Sequence, residues 1–196
     1  MKKLLLALCL FFVSISAFAV TEAQTATLRA IVLAEPSLAT AVNNGDDYAI
    51  AAWLNAQNDV AFYAWKTYLP TQDIFDNITW ANFTPQDSPD GTQAWANRSL
   101  ACQGKQFNLQ TLLTGRESIN PSKAKIRDGL QDALTAIPSG ANGATKAGGW
   151  NAVVAVMYRT TTRAEKYLST GTGTTASPAI LIFEGFITAQ EASVMR

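Results

Sequence analysis

The 196-residue chain contains no histidine. That absence excludes Ser-His-Asp and Cys-His nucleophile systems and His-ligated zinc. It also removes the side chain that most often serves as a general base near neutral pH. Cysteine is almost absent too. Cys9 and Cys102 cannot form a disulfide framework or a thiolate metal site. Charge is scarce, at 15 % of residues against the roughly 25 % of an ordinary soluble domain. The 15 basic and 15 acidic side chains cancel, so no basic excess is available for electrostatic binding of nucleic acid. No internal repeat, heptad array or glycosidase-type carboxylate pair stands out. The expectation is therefore a protein without catalytic residues, cofactor or metal. What is present is apolar: 48 % hydrophobic residues, with 5 Trp, 5 Tyr and 9 Phe. A chain of this size and composition can bury a core and is not a disordered polymer.

The first residues, MKKLLLALCLFFVSISAFAV, have the layout of a secretory signal. Lys2 and Lys3 form a basic start, Leu4 to Ile15 an apolar run, and Ala17-Phe18-Ala19 a small-x-small cleavage site. The run is about 12 residues, short of the roughly 20 needed to span a bilayer. Cleavage after Ala19 leaves a slightly acidic chain with Cys102 alone, so no intrachain bridge can form and a buried, inert thiol is expected. A start codon assigned too far upstream is the alternative. The segments are thus 1–19, signal-like or misassigned, and 20–196, a single domain.

That domain reads as mainly α. Leu28, Ile31 and Val32 share one helical face. Pro36 ends that helix or opens the next at its first position. Asn43-Asn44-Gly45 is a left-handed stop, and Asp46 and Asp47 look like the N-cap and first residue of a following helix rather than a catalytic pair. Val60 to Leu69 is an aromatic, β-prone run. Pro70 ends it, and Thr71 is expected to cap a short helical turn. Pro85 to Gly91 reads as a polar loop, and Thr92 to Leu113 as a long helix weakened at Gly104. Gly115 caps the end of that helix. Ile126, Leu130, Leu134 and Ile137 form a narrow apolar stripe on the next helix. A flexible loop follows from Pro138 to Gly149. Trp150 to Leu168 reads as one further long helix, with Val153, Val156, Met157 and Thr160 on one face, continued by Ala164 and Leu168. AILIF (179–183) is the second β-prone run, able to pair with the first as a small two-stranded ribbon. Thr188 with Glu191 is a capping box for a last short helix.

Few residues suggest a site. On a helix from Trp150, Arg159, Arg163, Glu165 and Lys166 give a charged face, on which Arg159 and Arg163 stand four apart and form a basic ridge with Lys166 further along. Such a ridge either faces solvent or meets an acidic partner. Lys123, Lys125 and Arg127 begin the preceding helix, where the dipole disfavours cations. Gly171-Thr172-Gly173-Thr174 lacks the Gly-Lys-Ser/Thr ending of a phosphate loop and reads as a hinge. Asn77, Asn82 and Asn97 begin Asn-x-Ser/Thr triplets, which mean little in a bacterial-type exported chain.

Four stretches carry a resemblance: LRAIVLAEPSLATAVNNGDDYAIAAWLN, AWKTYLPTQDIFDNITWANF, INPSKAKIRDGL and TRAEKYLSTGTGTTASPAILIFEGFITAQEA. Together they resemble small uncharacterised proteins from the structural (head and tail) gene clusters of tailed bacteriophages. The match runs over nearly all of residues 27 to 192 and is weakest between Pro85 and Leu113. It implies a virion setting and brings no catalytic residues. The sequence departs from the pattern at its N-terminus, because those proteins begin near the LRAIVLA segment without a signal.

The resulting expectation is a non-enzymatic virion structural or assembly protein, at the head–tail junction or on the capsid. It would act through contacts with copies of itself or with other virion proteins, made by Arg159, Arg163 and Lys166. Neither nucleic acid nor a small molecule is implicated, nor a membrane once the leader is removed. The alternative is a secreted or periplasmic binding protein whose aromatic segment, Phe62 to Phe83, lines a ligand cleft. Localisation follows the N-terminus: virion if the start is misassigned, periplasm or medium if the signal works.

Overall fold

A computed structural model describes residues 20–83, 100–138 and 145–196. The signal-like segment, the Pro85–Gly91 loop, the Asn97 triplet and the expected first turns of the helix from Thr92 lie outside the described residues.

In chain order the helices are α1 (Glu22–Ala34), α2 (Ala39–Asn44), α3 (Asp47–Asn55), α4 (Thr71–Phe75), α5 (Leu100–Leu113), α6 (Ala124–Leu134), α7 (Trp150–Val156), α8 (Arg163–Tyr167) and α9 (Ala189–Ser193). The strands are β1 (Tyr63–Trp65), β2 (Leu69–Pro70), β3 (Ser118–Ile119), β4 (Ile137–Pro138), β5 (Thr145–Lys146), β6 (Tyr158–Thr160), β7 (Ser169–Thr170) and β8 (Ile180–Leu181). Single 3-10 turns lie at Pro36–Leu38 and Trp80–Phe83. The described residues are mainly α. Their strands form antiparallel two-stranded ladders, β1 with β6, β2 with β3, β4 with β5 and β7 with β8. Among the described residues no helix is long and apolar enough to cross a membrane.

The chain clusters into two compact units, one of residues up to Asn55 together with Phe183–Arg196, the other Ala56–Ile182. The first unit is built by local signals. Thr21 and Gln24 form a capping box at the start of α1. Leu28 and Val32 of the expected apolar face are buried, with Ile31 half-buried. Pro36 occupies the first position of its 3-10 turn, and Gly45 terminates α2 at φ 68°, where a side chain would be strained. Asp46 caps α3 by accepting the Ala49 N–H at 3.0 Å. Thr188 and Glu191 form the expected box on α9. α3 packs on α9, burying Ile50, Leu54, Ile187 and Met195. The Asn55 amide both donates to the Ile187 carbonyl and accepts its N–H, each at 2.8 Å, as a backbone partner would. Arg196 pairs with Asp47 at 2.7 Å.

The second unit has a core of Leu69, Ile74, Phe83, Leu109, Leu113, Leu130, Leu134, Ile137, Val153 and Met157, all buried. α5 packs on α6 through the stripe read from the sequence: Leu130 and Leu134 are buried, and Ile126 is half-buried against the core. Ile137 is buried too, but on β4. Cys102 is buried. Phe107, an apolar residue of α5, is 67 % exposed.

Three expected elements differ. The helix from Trp150 to Leu168 is broken into α7, β6 and α8. Val153, Met157, Ala164 and Leu168 still face inward, but Val156 is only half-buried and Thr160 is exposed, while Thr161 and Glu165, off the expected face, are buried. The break falls on Tyr158 to Thr162, where β-branched threonines lose rotamer freedom in a helix, and Thr162 with Glu165 caps a new one. Thr71 is the first residue of α4 rather than its cap. Its hydroxyl donates to the Arg116 carbonyl at 2.9 Å, fastening α4 beside the β2–β3 ladder. The two β-prone runs meet only in a parallel bridge between Ala64 and Ala179. Their ladder partners are β6 and β7, segments without a strand signal.

Candidate functional site

β1 lies between two backbones. On one side it pairs with β6, Ala64 opposite Arg159. On the other, the Tyr63 N–H donates to the Gly173 carbonyl at 2.8 Å and the Trp65 N–H to the Ala179 carbonyl at 2.9 Å. The Thr161 N–H reaches the Phe62 carbonyl, and the Asn58 amide donates to the Thr161 and Thr162 carbonyls at 2.9 and 3.2 Å. Residues 58–65 therefore hold 158–163 in place over a long sequence separation.

This arrangement removes the basic ridge. Arg159 lies on β6 and Arg163 opens α8, so they are not neighbours on one helix face. Each guanidinium has a carboxylate within the chain. Arg159 makes a two-pronged pair with Glu165, Nη1 to Oε2 at 2.8 Å and Nη2 to Oε1 at 2.7 Å. Glu165 is buried, and its Oε2 also accepts the Thr162 N–H at 3.0 Å, so one carboxylate closes the capping box and receives the arginine. Arg163 pairs with Asp59 at 2.8 Å, but the Asp59 side chain is 89 % exposed. The acidic partner left open by the sequence is thus intramolecular. Lys166 stands with its ammonium 5.8 Å from the centres of both the Phe62 and Tyr167 rings, within cation–π range. Sequence reasoning placed Glu165 on the charged face without pairing it with Arg159, and missed Asp59. The Thr-x-x-Glu signature at Thr162 was available as a signal for the first; nothing local marks the second.

The Gly171–Thr174 segment is tied down rather than hinged. The Thr172 hydroxyl donates to the Ser177 carbonyl at 3.1 Å, and Thr174 and Ser177 bond each other's backbones. Gly173, at φ 66°, lies against the Phe62 ring, where a Cβ would come within 2.1 Å of the ring edge. The same elements expose apolar side chains. Val60 precedes β1, Tyr167 ends α8, and Ile180 and Ile182, alternate residues on one face of the β8 run, are 44 % and 63 % exposed.

Arg127 lies over the Trp65 ring at 4.3 Å and donates to the Pro121 carbonyl. Burial pulls its pKa below the ordinary arginine value, partly offset by Asp128. Lys123 and Lys125 are exposed at the start of α6. In the aromatic segment, Phe83 is buried, Trp65 and Phe75 pack on the core, and Tyr68 and Trp80 are exposed. A separate open cavity of about 540 Å³ is bordered by Thr79, Thr135, Lys146, Trp150 and Asn151. The amides of Asn77 and Asn82 donate to the Asp73 and Ala147 carbonyls, which ties up the nitrogens a glycan would use. Among the described residues no group of three or more His, Cys, Asp or Glu side chains could hold a metal ion.

No protein-family model matches the chain, and neither a curated protein nor a solved structure matches it.

Proposed function

We propose that this chain is a non-enzymatic structural or assembly protein of a phage particle, at the head–tail junction or on the capsid, working through protein–protein contacts. The virion setting rests on the resemblance of residues 27 to 192 to proteins of phage structural gene clusters. The observation that carries the contact role is the set of exposed apolar side chains: Tyr167, beside Lys166 on α8, and Ile180 and Ile182 in the β8 run, which pairs with β7 just after α8. Of the three basic residues, Lys166 is the one assigned to the partner, because Arg159 and Arg163 already pair with Glu165 and Asp59. Apolar area supplies the affinity of such a contact, and a flanking cation orients it. The test is the mass of the purified chain by light scattering, and its recovery with particles. Ile182→Asp should abolish association without lowering the melting temperature. A chain that stays monomeric at high concentration and never sediments with particles overturns the proposal.

A second reading, an exported periplasmic or secreted binding protein, is favoured by one specific contact. The Val20 N–H donates to Glu191 Oε1 at 3.2 Å. Val20 is the residue that cleavage after Ala19 would expose. The mass and location of the natural product separate the two readings.

A further inference from the structure

The sequence puts a small-x-small site at Ala17-Phe18-Ala19, and three features of the first unit meet at the next residue. Thr21, immediately after Val20, is the N-cap of α1. The Val20 nitrogen is 3.2 Å from Glu191 Oε1, and Val20 is half-buried. Glu191 is already fixed: its Oε2 accepts the Thr188 N–H and hydroxyl, each at 2.8 Å, as the third residue of α9. One oxygen thus closes the helix cap while the other points at the Val20 nitrogen.

We propose that the chain is cut between Ala19 and Val20 and that the new Val20 α-ammonium docks on Glu191, locking the processed N-terminus onto α9. Water adds across the scissile peptide. Its hydroxyl goes to the Ala19 carbonyl carbon and one proton to the Val20 nitrogen as the C–N bond breaks. The carboxylic acid so formed gives its remaining proton to the new amine, leaving a carboxylate on Ala19 and an ammonium on Val20 near neutral pH. The agent is a leader peptidase of small-x-small specificity. The cut replaces a neutral N–H donor by a cation at the same place, and charge-assisted hydrogen bonds are roughly twice as strong as neutral ones. The carboxylate needed for that bond is ready, because its hydrogen bonds favour the charged form and outweigh the desolvation that opposes it. Processing would thereby stabilise the junction of the two chain ends.

This inference rests on the export reading, and the experiment separates the two. The full chain is expressed in a bacterium with an active leader peptidase, and the product in each cell fraction is weighed intact. The rate of α-amine acetylation by a limiting reagent is then measured for the product and for its Glu191→Gln variant. Glutamine keeps the capping box but removes the charge. Expected are a chain beginning at Val20 in the exported fraction and an α-amine that acetylates about three- to tenfold faster in the variant, as a pKa raised by half to one unit requires. Thr188→Ala, which loosens the cap but keeps the carboxylate, should leave the amine slow. Exported protein with a different first residue overturns the inference and leaves export standing. A chain with Met1 intact in the cytoplasm overturns both. A Val20 start whose acetylation ignores Glu191 overturns the anchor.

Discussion

The two units obey different rules. In the first, each helix carries its own instructions: a capping box at Thr21, a proline at Pro36, a left-handed glycine at Gly45, an aspartate cap at Asp46. Remote contacts close both units, Asn55 with Ile187 in the first and Asn58 with Thr161, 103 positions on, in the second, but in the second they also make the strand ladders, such as β1 with β6. Helix boundaries governed by neighbours within four residues can be read in order along a chain. Ladders between remote segments cannot, because either strand would satisfy its backbone equally well with other partners.

The sharpest way to test that difference is to remove one fully buried leucine from each unit. Leu54→Ala in the first and Leu130→Ala in the second should each cost about 3–4 kcal/mol, measured by urea unfolding. Cost here tracks burial, so a much smaller loss in one unit would mean that its core packs less tightly than its exposure suggests.

Arg159→Ala should follow at about 3 kcal/mol, because it leaves Glu165 buried without its guanidinium. This loss acts on folding of the second unit, not on assembly. Arg159→Lys should recover little of it, since a single ammonium cannot reproduce the two-pronged pair. A full recovery would reduce the contact to a simple charge effect.

Gly173→Ala should cost about 2 kcal/mol, from positive φ and collision with Phe62. Combining it with Phe62→Ala relieves the collision and leaves only the backbone strain. Additive losses in the double variant would show that the ring is not what fixes the glycine.

In the first unit, Thr188→Ala should cost about 1 kcal/mol by removing a cap. The unit also has an acid limb. Desolvation pushes the Glu191 carboxyl up, but the hydrogen bonds from Thr188 and Val20 hold it below its ordinary value. Its contribution is therefore complete above the ordinary carboxylate pKa and is lost as pH falls through the lowered one. Melting temperature against pH in the acid range should lose part of that slope in Glu191→Gln. The smallest effect is Arg163→Ala, below about 1 kcal/mol, because Asp59 is nearly fully in solvent.

By itself the sequence determined the absence of histidine chemistry, the mainly helical character, the caps at Asp46 and Thr188, the stop at Gly45 and the inward stripe Leu130–Leu134. Each is local, set by a side chain and the few backbone groups it can reach. It also put Val153, Met157, Ala164 and Leu168 on one face, and these are buried because apolar side chains tend to bury whatever the backbone does, but it missed the buried Thr161 and Glu165 and placed the exposed Thr160 on that face. Tertiary structure alone decided that this stretch is not one helix, and that Arg159 meets Glu165 rather than sharing a ridge with Arg163. It also decided that Thr71 serves a remote carbonyl and that Val20 meets Glu191 from the other end of the chain. The physical reason is common to all four. A polar group leaving water must find a partner, and the nearest suitable partner in space is often distant in sequence.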